Sequence, residues 1–429
     1  MSAVEQHTAT RVVLDNAGLV RSRSLKAPIS FAVVALIGLV LAFIAGRSGE
    51  STFRLGDRTQ SIQLSDVALP TAGTVIACAL ILTAMAALSF VFAMRYQKTP
   101  LWFTVVFALV GIFLFLTWSA AGGTVPVTGL LFGALSLSVP LIFGALGGVI
   151  GERAGVVNVA IEAQFLLAAF TSALIASITG SYVAGLIGAI VAGALVAAIL
   201  AVFSITYAVT QVIVGVVLNV LITGLTSFLH GAIMQPNAAT LNSPPRFPRW
   251  AIPGLSEIPV LGPVFFNQTL IVYLAYIAVP LITWALYRSR WGLRLRAVGE
   301  HPQAADTVGI KVNPTRFWNL LLAGGIAGIG GAYFTLGSVG AFDKEMAGGL
   351  GFIALAAVIF GGWDPLRATL AALLFGFTKN LETLLNNLGS PIPSEFMSML
   401  PYVVTILAVV GFSGKSRAPA ASGTPYVKG

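Results

Sequence analysis

The chain alternates long apolar stretches with short polar ones. Twelve stretches are candidate membrane spans: 29–46, 69–94, 101–121, 129–149, 158–178, 182–205, 212–230, 268–287, 317–337, 349–362, 366–385 and 396–412. A helix needs about 20 apolar residues to cross the hydrocarbon core. Most of the stretches approach that length. The stretch 349–362 is shorter and reads as tilted, re-entrant or packed inside protein. The pattern predicts an all-α, polytopic transmembrane helical protein of about 12 spans.

Polar positions give this pattern a direction. Of 24 Lys and Arg residues, 17 fall on the side of the N-terminal segment: 16 in that segment and the alternate connections, and Arg367 at the very start of the span 366–385. Six (Arg47, Arg54, Arg58, Arg246, Arg249 and Lys344) fall on the opposite side, and Lys379 lies inside a span. Cytoplasmic loops carry the excess of Lys and Arg. Both termini are therefore expected in the cytoplasm, provided that 349–362 crosses. Two loops are long. The outer one, 231–267, contains seven prolines and suits an ordered cap or a linker. The inner one covers 288–316. The tails 1–28 and 415–429 are polar and expected to be disordered. No cleavable signal is expected, because about 28 mostly polar residues precede the first apolar run.

Composition agrees with a membrane location. Of 429 residues, 57% are hydrophobic and 9% charged, with mean hydropathy +0.92. A soluble domain carries about 25% charged residues, so most of this surface must face lipid. The net charge of +9 sits in short loops and not on one basic face, so nucleic-acid binding is not expected. Cys78 is the single cysteine and can form neither an intrachain disulfide nor a thiolate metal site. His7, His230 and His301 lie far apart in the topology, and HExxH, GxSxG and CxxC do not occur. The tail GFSGKS ends like a phosphate loop, but Val409 stands where the first glycine is required. No enzyme activity, nucleotide site or cofactor is expected, so ATP energy would have to come from another chain.

Three segments carry candidate chemistry. GERAGVVNVAIEAQ (151–164) sets Glu152, Arg153, Asn158 and Glu162 between two apolar runs. Unpaired polar groups there are costly and are usually kept for a use. Asn158 and Glu162 are four apart, on one helix face. Glu162 suits a polar clasp, paired with Arg153 or capping a broken helix end; direct solute contact is the alternative. Lys379 and Glu382 are three apart in a span and suit a mutual salt bridge or a pathway contact. Asn219 and Gln211 are weaker polar pointers of the same kind. In the inner loop, 301–308 predicts a short helix, with Pro302 in its first turn, small residues at Ala304 and Ala305, and Gly309 as its stop. Such a helix fits a groove of a partner protein; an ordinary positive loop is the other reading. Gly144/Gly148 and Gly324/Gly328 have the GxxxG spacing of close helix packing.

These segments also resemble one family. GERAGVVNVAIEAQ, LRAVGEHPQAADTVGI (295–310), GLGFIALAAVIFGGWDPLRATLAALLFG (349–376) and MLPYVVTILAVVGFSGK (399–415) are similar, in order, to motifs of ABC permeases of the bacterial simple-sugar/nucleoside importer branch, within the branched-chain amino acid/ribose-type superfamily. The chain departs from the pattern at His301, where Asn is common, and at Ala163, where Gly is usual. The resemblance implies a type II ABC-importer-like permease core over 127–414, preceded by a transmembrane extension at 29–126. It implies a multi-pass protein of the bacterial plasma membrane that forms the translocation pathway for a small-molecule solute, a nucleoside or simple sugar. Glu300, His301, Pro302, Ala304, Ala305 and Gly309 would form the ATPase-coupling element, with Ala304 and Ala305 packed into the ATPase groove. The implied partners are an ATP-binding cassette ATPase subunit, a second permease subunit forming a heterodimer, an extracytoplasmic solute-binding lipoprotein and membrane lipid. An ion-coupled secondary transporter working without an ATPase is the alternative; it would be expected to hold titratable or ion-coordinating groups near the midplane, and Lys379–Glu382 is the one candidate pair.

Overall fold

The computed structural model describes residues 13–14, 20–21, 25–56, 64–97, 99–388, 395–396, 399 and 417–427. Most of the stretch 396–412, and the MLPY motif after Met399, lie outside the described residues, as does most of the N-terminal tail. Within the described part the chain is helical with a few short strands. Among the described residues, eight helices are long and apolar enough to cross a membrane, and two shorter apolar helices accompany them.

The described chain falls into two compact units: one holds the residues up to Val127 together with those described between Glu382 and Met399, the other holds Thr128–Leu381 together with 417–427. The first begins with the paired strands β1 (Val13–Leu14) and β2 (Val20–Arg21). It continues with α1 (Lys26–Phe43), β3 (Glu50–Arg54), β4 (Val67–Pro70), α2 (Thr71–Met94), α3 (Leu101–Ser119) and β5 (Thr124–Pro126). Apolar residues all round these helices favour contact with lipid or with one another. Phe31 of α1 stacks on Phe107 of α3 at 4.0 Å between ring centroids, beside buried Ala79 and Leu82 of α2. At one end β3 pairs antiparallel with β4 and parallel with β5. The Ser51 hydroxyl donates to the Thr117 carbonyl at 2.7 Å, and the Trp118 indole donates to the Ala45 carbonyl at 2.7 Å. The strands thus satisfy backbone groups where the helices stop.

The second unit runs from Thr128 to Leu381 and includes residues 417–427. Its helices are α4 (Val127–Arg153), α5 (Ile161–Thr179), α6 (Tyr182–Ala201), α7 (Gln211–Leu229), α8 (Ala238–Leu241), α9 (Leu261–Phe265), α10 (Leu270–Arg288), α11 (Arg290–Glu300), α12 (Pro302–Thr307), α13 (Val312–Ala332), α14 (Leu350–Phe360) and α15 (Pro365–Asn387). π-Helical turns prolong α6, α7 and α13. Burial ranks the spans. The apolar windows of α4 and α5 are 67% buried and that of α13 is 72% buried, against 33% for α7 and 28% for α10. α4, α5 and α13 therefore form the centre, while α7 and α10 keep broad outward faces. Glycine permits the closest contact: a methyl group on Gly328 of α13 would meet the Ala189 carbonyl of α6, and one on Gly193 of α6 would meet the Gly324 carbonyl.

The proline-rich loop is ordered. It holds α8, α9 and the strand pair β6 (Arg249–Ala251) and β7 (Asn267–Thr269). The Asn242 amide exchanges two hydrogen bonds with the backbone of Phe342, at 2.7 and 2.9 Å. Phe247 is buried against Tyr182.

The structure corrects one expectation about the termini. Residues 417–427 do not form a free tail; they seat against α11, α13 and the segment after α4. Four hydrogen bonds and a buried Ala421 supply the ordering that their composition did not announce.

Candidate functional site

Two spans are broken, and the breaks meet. The stretch 158–178 reads as one helix from sequence, but α5 begins at Ile161 and residues 154–160 are irregular. Likewise α14 has 11 residues, about 16 Å at 1.5 Å per residue and so about half the hydrocarbon thickness. Residues 340–349 lead into it without regular helix. A methyl group on Gly144 would meet Ile161 and Ala354, and one on Gly148 would meet Val358 and Ile161. Ile161 at the start of α5, and Ala354 and Val358 of α14, therefore lie beside α4 some five to nine residues before Arg153, roughly 8–14 Å along its axis. Irregular backbone at that depth persists only where protein or a cavity satisfies it.

Buried side chains satisfy it here. Glu162 is 7% exposed, and its two carboxylate oxygens accept from the N–H groups of Gly349 (2.8 Å) and Gly351 (2.7 Å). It thereby caps the N-terminus of α14, where free N–H groups and the helix dipole favour an anion. Asn219 of α7 accepts from Ala163 N–H at 2.9 Å and donates to the Val159 carbonyl at 2.9 Å, so it caps α5. Gln211, also of α7, accepts from Val157 N–H at 2.6 Å. Asn158 is fully buried and forms a reciprocal amide pair with Gln164, at 3.0 and 3.2 Å. The helical spacing of Asn158 and Glu162 thus does not apply, since Asn158 precedes the helix and faces Gln164.

A second clasp lies at the end of α4. Trp363 has φ 56°, a left-handed conformation that is costly for a bulky residue. Its indole donates to the Glu152 carboxylate, and its carbonyl accepts from Arg153 Nε at 2.9 Å. Arg153 also faces Glu300 at 4.0 Å. Glu162 therefore pairs with backbone and Arg153 with Trp363 and Glu300; the two do not pair with each other.

The docking candidates divide by face. α11 and α12 leave the end of α10, and Pro302 opens α12 just after the turn at His301. Glu300 and His301 are exposed at that turn. Gln303, Ala304, Thr307, Val308 and Gly309 are also exposed, Val308 at 75%. Pro302 and Ala305 turn inward. Ala305 is 3% exposed and packs with Val298 and Val312. The methyl group of Ala305 packs α12 onto this chain, and Ala304 is the alanine facing out. On α15, Lys379 is half-buried and Glu382 is 9% exposed.

Sequence reasoning did not reach Trp363, Gln164 or Arg316 as partners. Gln164 meets Asn158 six positions away across the irregular start of α5, whereas Arg316 and Trp363 meet theirs from 108 and 211 positions away.

The site thus sits in a multi-span helical core, with two broken spans joined by buried polar caps and a short helix offered at one surface. The chain belongs to the branched-chain amino acid transport system / permease component family, whose pattern matches residues 130–409. It is 41% identical over 304 residues to the guanosine ABC transporter permease protein NupQ of Bacillus subtilis, covering 69% of this chain and 95% of that one. It is 40% identical over 303 residues to the nucleoside ABC transporter permease protein NupC of Lactococcus lactis, covering 68% of this chain and 95% of that one. A putative glucose ABC transporter permease of Haloferax volcanii, TsgC13, is 34% identical over 310 residues, covering 66% and 91%. No solved structure matches the chain. The protein is a multi-pass membrane protein and a permease subunit of an ABC importer.

Proposed function

We propose that this permease carries nucleosides through a pathway shared with a second, related permease subunit. The observation that carries the reading is the likeness to a guanosine permease and a nucleoside permease along nearly their whole length. The same two organisms hold paired relatives, NupP and NupB, that match this chain more distantly, which supports a heterodimer. The outward face of α12 is the docking element for an ATP-hydrolysing subunit, and an extracytoplasmic lipoprotein delivers the solute. The exposed, apolar Val308 and small Ala304 support that placement, as a groove-filling surface should be free of bulky charge. The loop 288–316 and both termini face the cytoplasm in the bacterial plasma membrane, in keeping with the charge split. A simple sugar is the second reading, favoured by the likeness to the glucose permease.

Uptake by cells lacking this gene tests the solute. Labelled guanosine, adenosine and uridine should enter at background rate, and glucose and ribose at the parental rate. Restoring the gene should restore nucleoside entry. Unchanged nucleoside uptake with lost hexose or pentose uptake would replace the first reading by the second.

A further inference from the structure

Residues 417–427 run across three elements that are distant in sequence. Ala421 N–H donates to the Gly299 carbonyl at 2.9 Å, and Ala420 N–H donates to the Glu300 carboxylate at 3.2 Å, both at the end of α11. Gly423 N–H donates to the Gly155 carbonyl at 3.3 Å, in the irregular segment before α5. The Thr424 carbonyl accepts from Arg316 Nη1 at 2.7 Å, on α13. Tyr426 packs on the cluster of Val298, Ala305 and Val312 that holds α12 in place.

Arg316 makes this seat unusual. It is 1% exposed, and its Nε and Nη2 have no hydrogen-bond partner among the described residues. A buried guanidinium with few acceptors is costly. An ordinary surface tail would leave such a group to water; here the backbone at Thr424 covers it and supplies an acceptor.

We infer that residues 419–426 are a strap that makes α12, the segment 154–160 and α13 move as one body. The strap is a positioning element for energy transfer. A push on α12 passes through Gly299 and Glu300 to the strap, then through Gly155 to the segment that Gln211 and Asn219 hold, and so to Glu162 at the head of α14. Without the strap, the end of α11 still meets the end of α4 through Arg153 and Glu300 and through the close approach of Gly299 to the Arg153 carbonyl, and Arg316 of α13 lies against Gly155. The inference rests on the reading of α12 as the ATPase-docking element.

The test uses the complete importer reconstituted in liposomes with its ATPase, second permease and solute-binding protein. Three variants are compared: a truncation ending at Ser416, Ala421→Pro, and Val308→Arg. Ala421→Pro keeps the tail but removes the N–H that reaches Gly299. Retained ATPase, ATP hydrolysis and nucleoside uptake are measured together. The truncated subunit should keep its ATPase, yet the solute moved per ATP should fall by at least about fivefold, the lower end of ordinary coupling between sites. Ala421→Pro should lower that ratio in the same direction and decides the matter if the truncated subunit does not accumulate. A merely structural tail would lower the amount of complex and leave the ratio unchanged; an unchanged ratio overturns the strap. Val308→Arg tests the docking reading by itself. If it loses the ATPase while both tail variants keep the parental ratio, the strap alone is wrong. If it retains ATPase and transport, the docking reading fails and the strap falls with it.

Discussion

Removing the Glu162 carboxylate would leave the buried N–H of Gly351 and the partly buried N–H of Gly349 without acceptors. Each orphaned group costs about 1–3 kcal/mol. Glu162→Leu is expected to lower the abundance of folded subunit and its melting temperature in detergent. Glu162→Gln retains one good acceptor and presents an NH2 to the other donor, so its loss should be smaller. Normal melting of Glu162→Leu, with only the transport KM altered, would instead assign this carboxylate to the solute. The polar character of 151–164 was legible from the sequence, because charges between apolar runs demand partners. Which partner each found was not. Arg153 lies nearer Glu162 in the chain than Gly349 does, yet the fold turns Arg153 toward Trp363 and Glu300.

At the scale of elements, packing distance separates glycines that look alike in sequence. A methyl group at Gly328 would strike the Ala189 carbonyl, whereas one at Gly224 of α7 meets nothing within 4 Å. Gly328→Ala is predicted to destabilise the α6–α13 contact by about 1–3 kcal/mol, as overpacking does. Gly224→Ala should be neutral or slightly stabilising, because Ala is the better helix former. Detergent melting of the two variants checks this; equal melting would mean that α6 and α13 can separate freely. The GxxxG spacing of Gly324 and Gly328 pointed to a close approach, but α6 as the neighbour came only from the fold. The short apolar stretch at 349–362 was also legible as an exception. Its cause was not: α14 can be short because Glu162 ends it inside the protein.

At the scale of the molecule, the strap requires that residues 417–427 and the α11–α12 connection share one membrane face. Single cysteines introduced as Gln303→Cys and Ser422→Cys, in a chain freed of Cys78, should both resist an impermeant thiol reagent in intact cells. Leu255→Cys, in the proline-rich loop, should react. Labelling of Gln303→Cys would overturn the orientation and with it the docking reading. Labelling of only one of the first two would contradict the seat of the strap. The disordered tail expected from composition failed for a definite reason. Small and polar residues carry no hydrophobic signal, yet backbone N–H groups bind wherever carbonyls are presented in register, and Gly155 and Gly299 present theirs.

By itself the sequence determined the membrane setting, the helical class and the family, because these depend on local quantities: apolar length, charge density and ordered motifs. It also marked the places where polar groups enter apolar surroundings, since the cost of burying them is a property of the residue. Only the tertiary structure decided how that cost is met. It joined Glu162 to the start of α14, Asn219 to the start of α5, and Trp363 to Glu152. It turned Ala305 inward and left Ala304 exposed, and it laid the last described residues across Gly299, Gly155 and Arg316. Hydrogen bonds are directional and short-ranged, so their partners follow from where the packed helices bring each group and not from spacing along the chain.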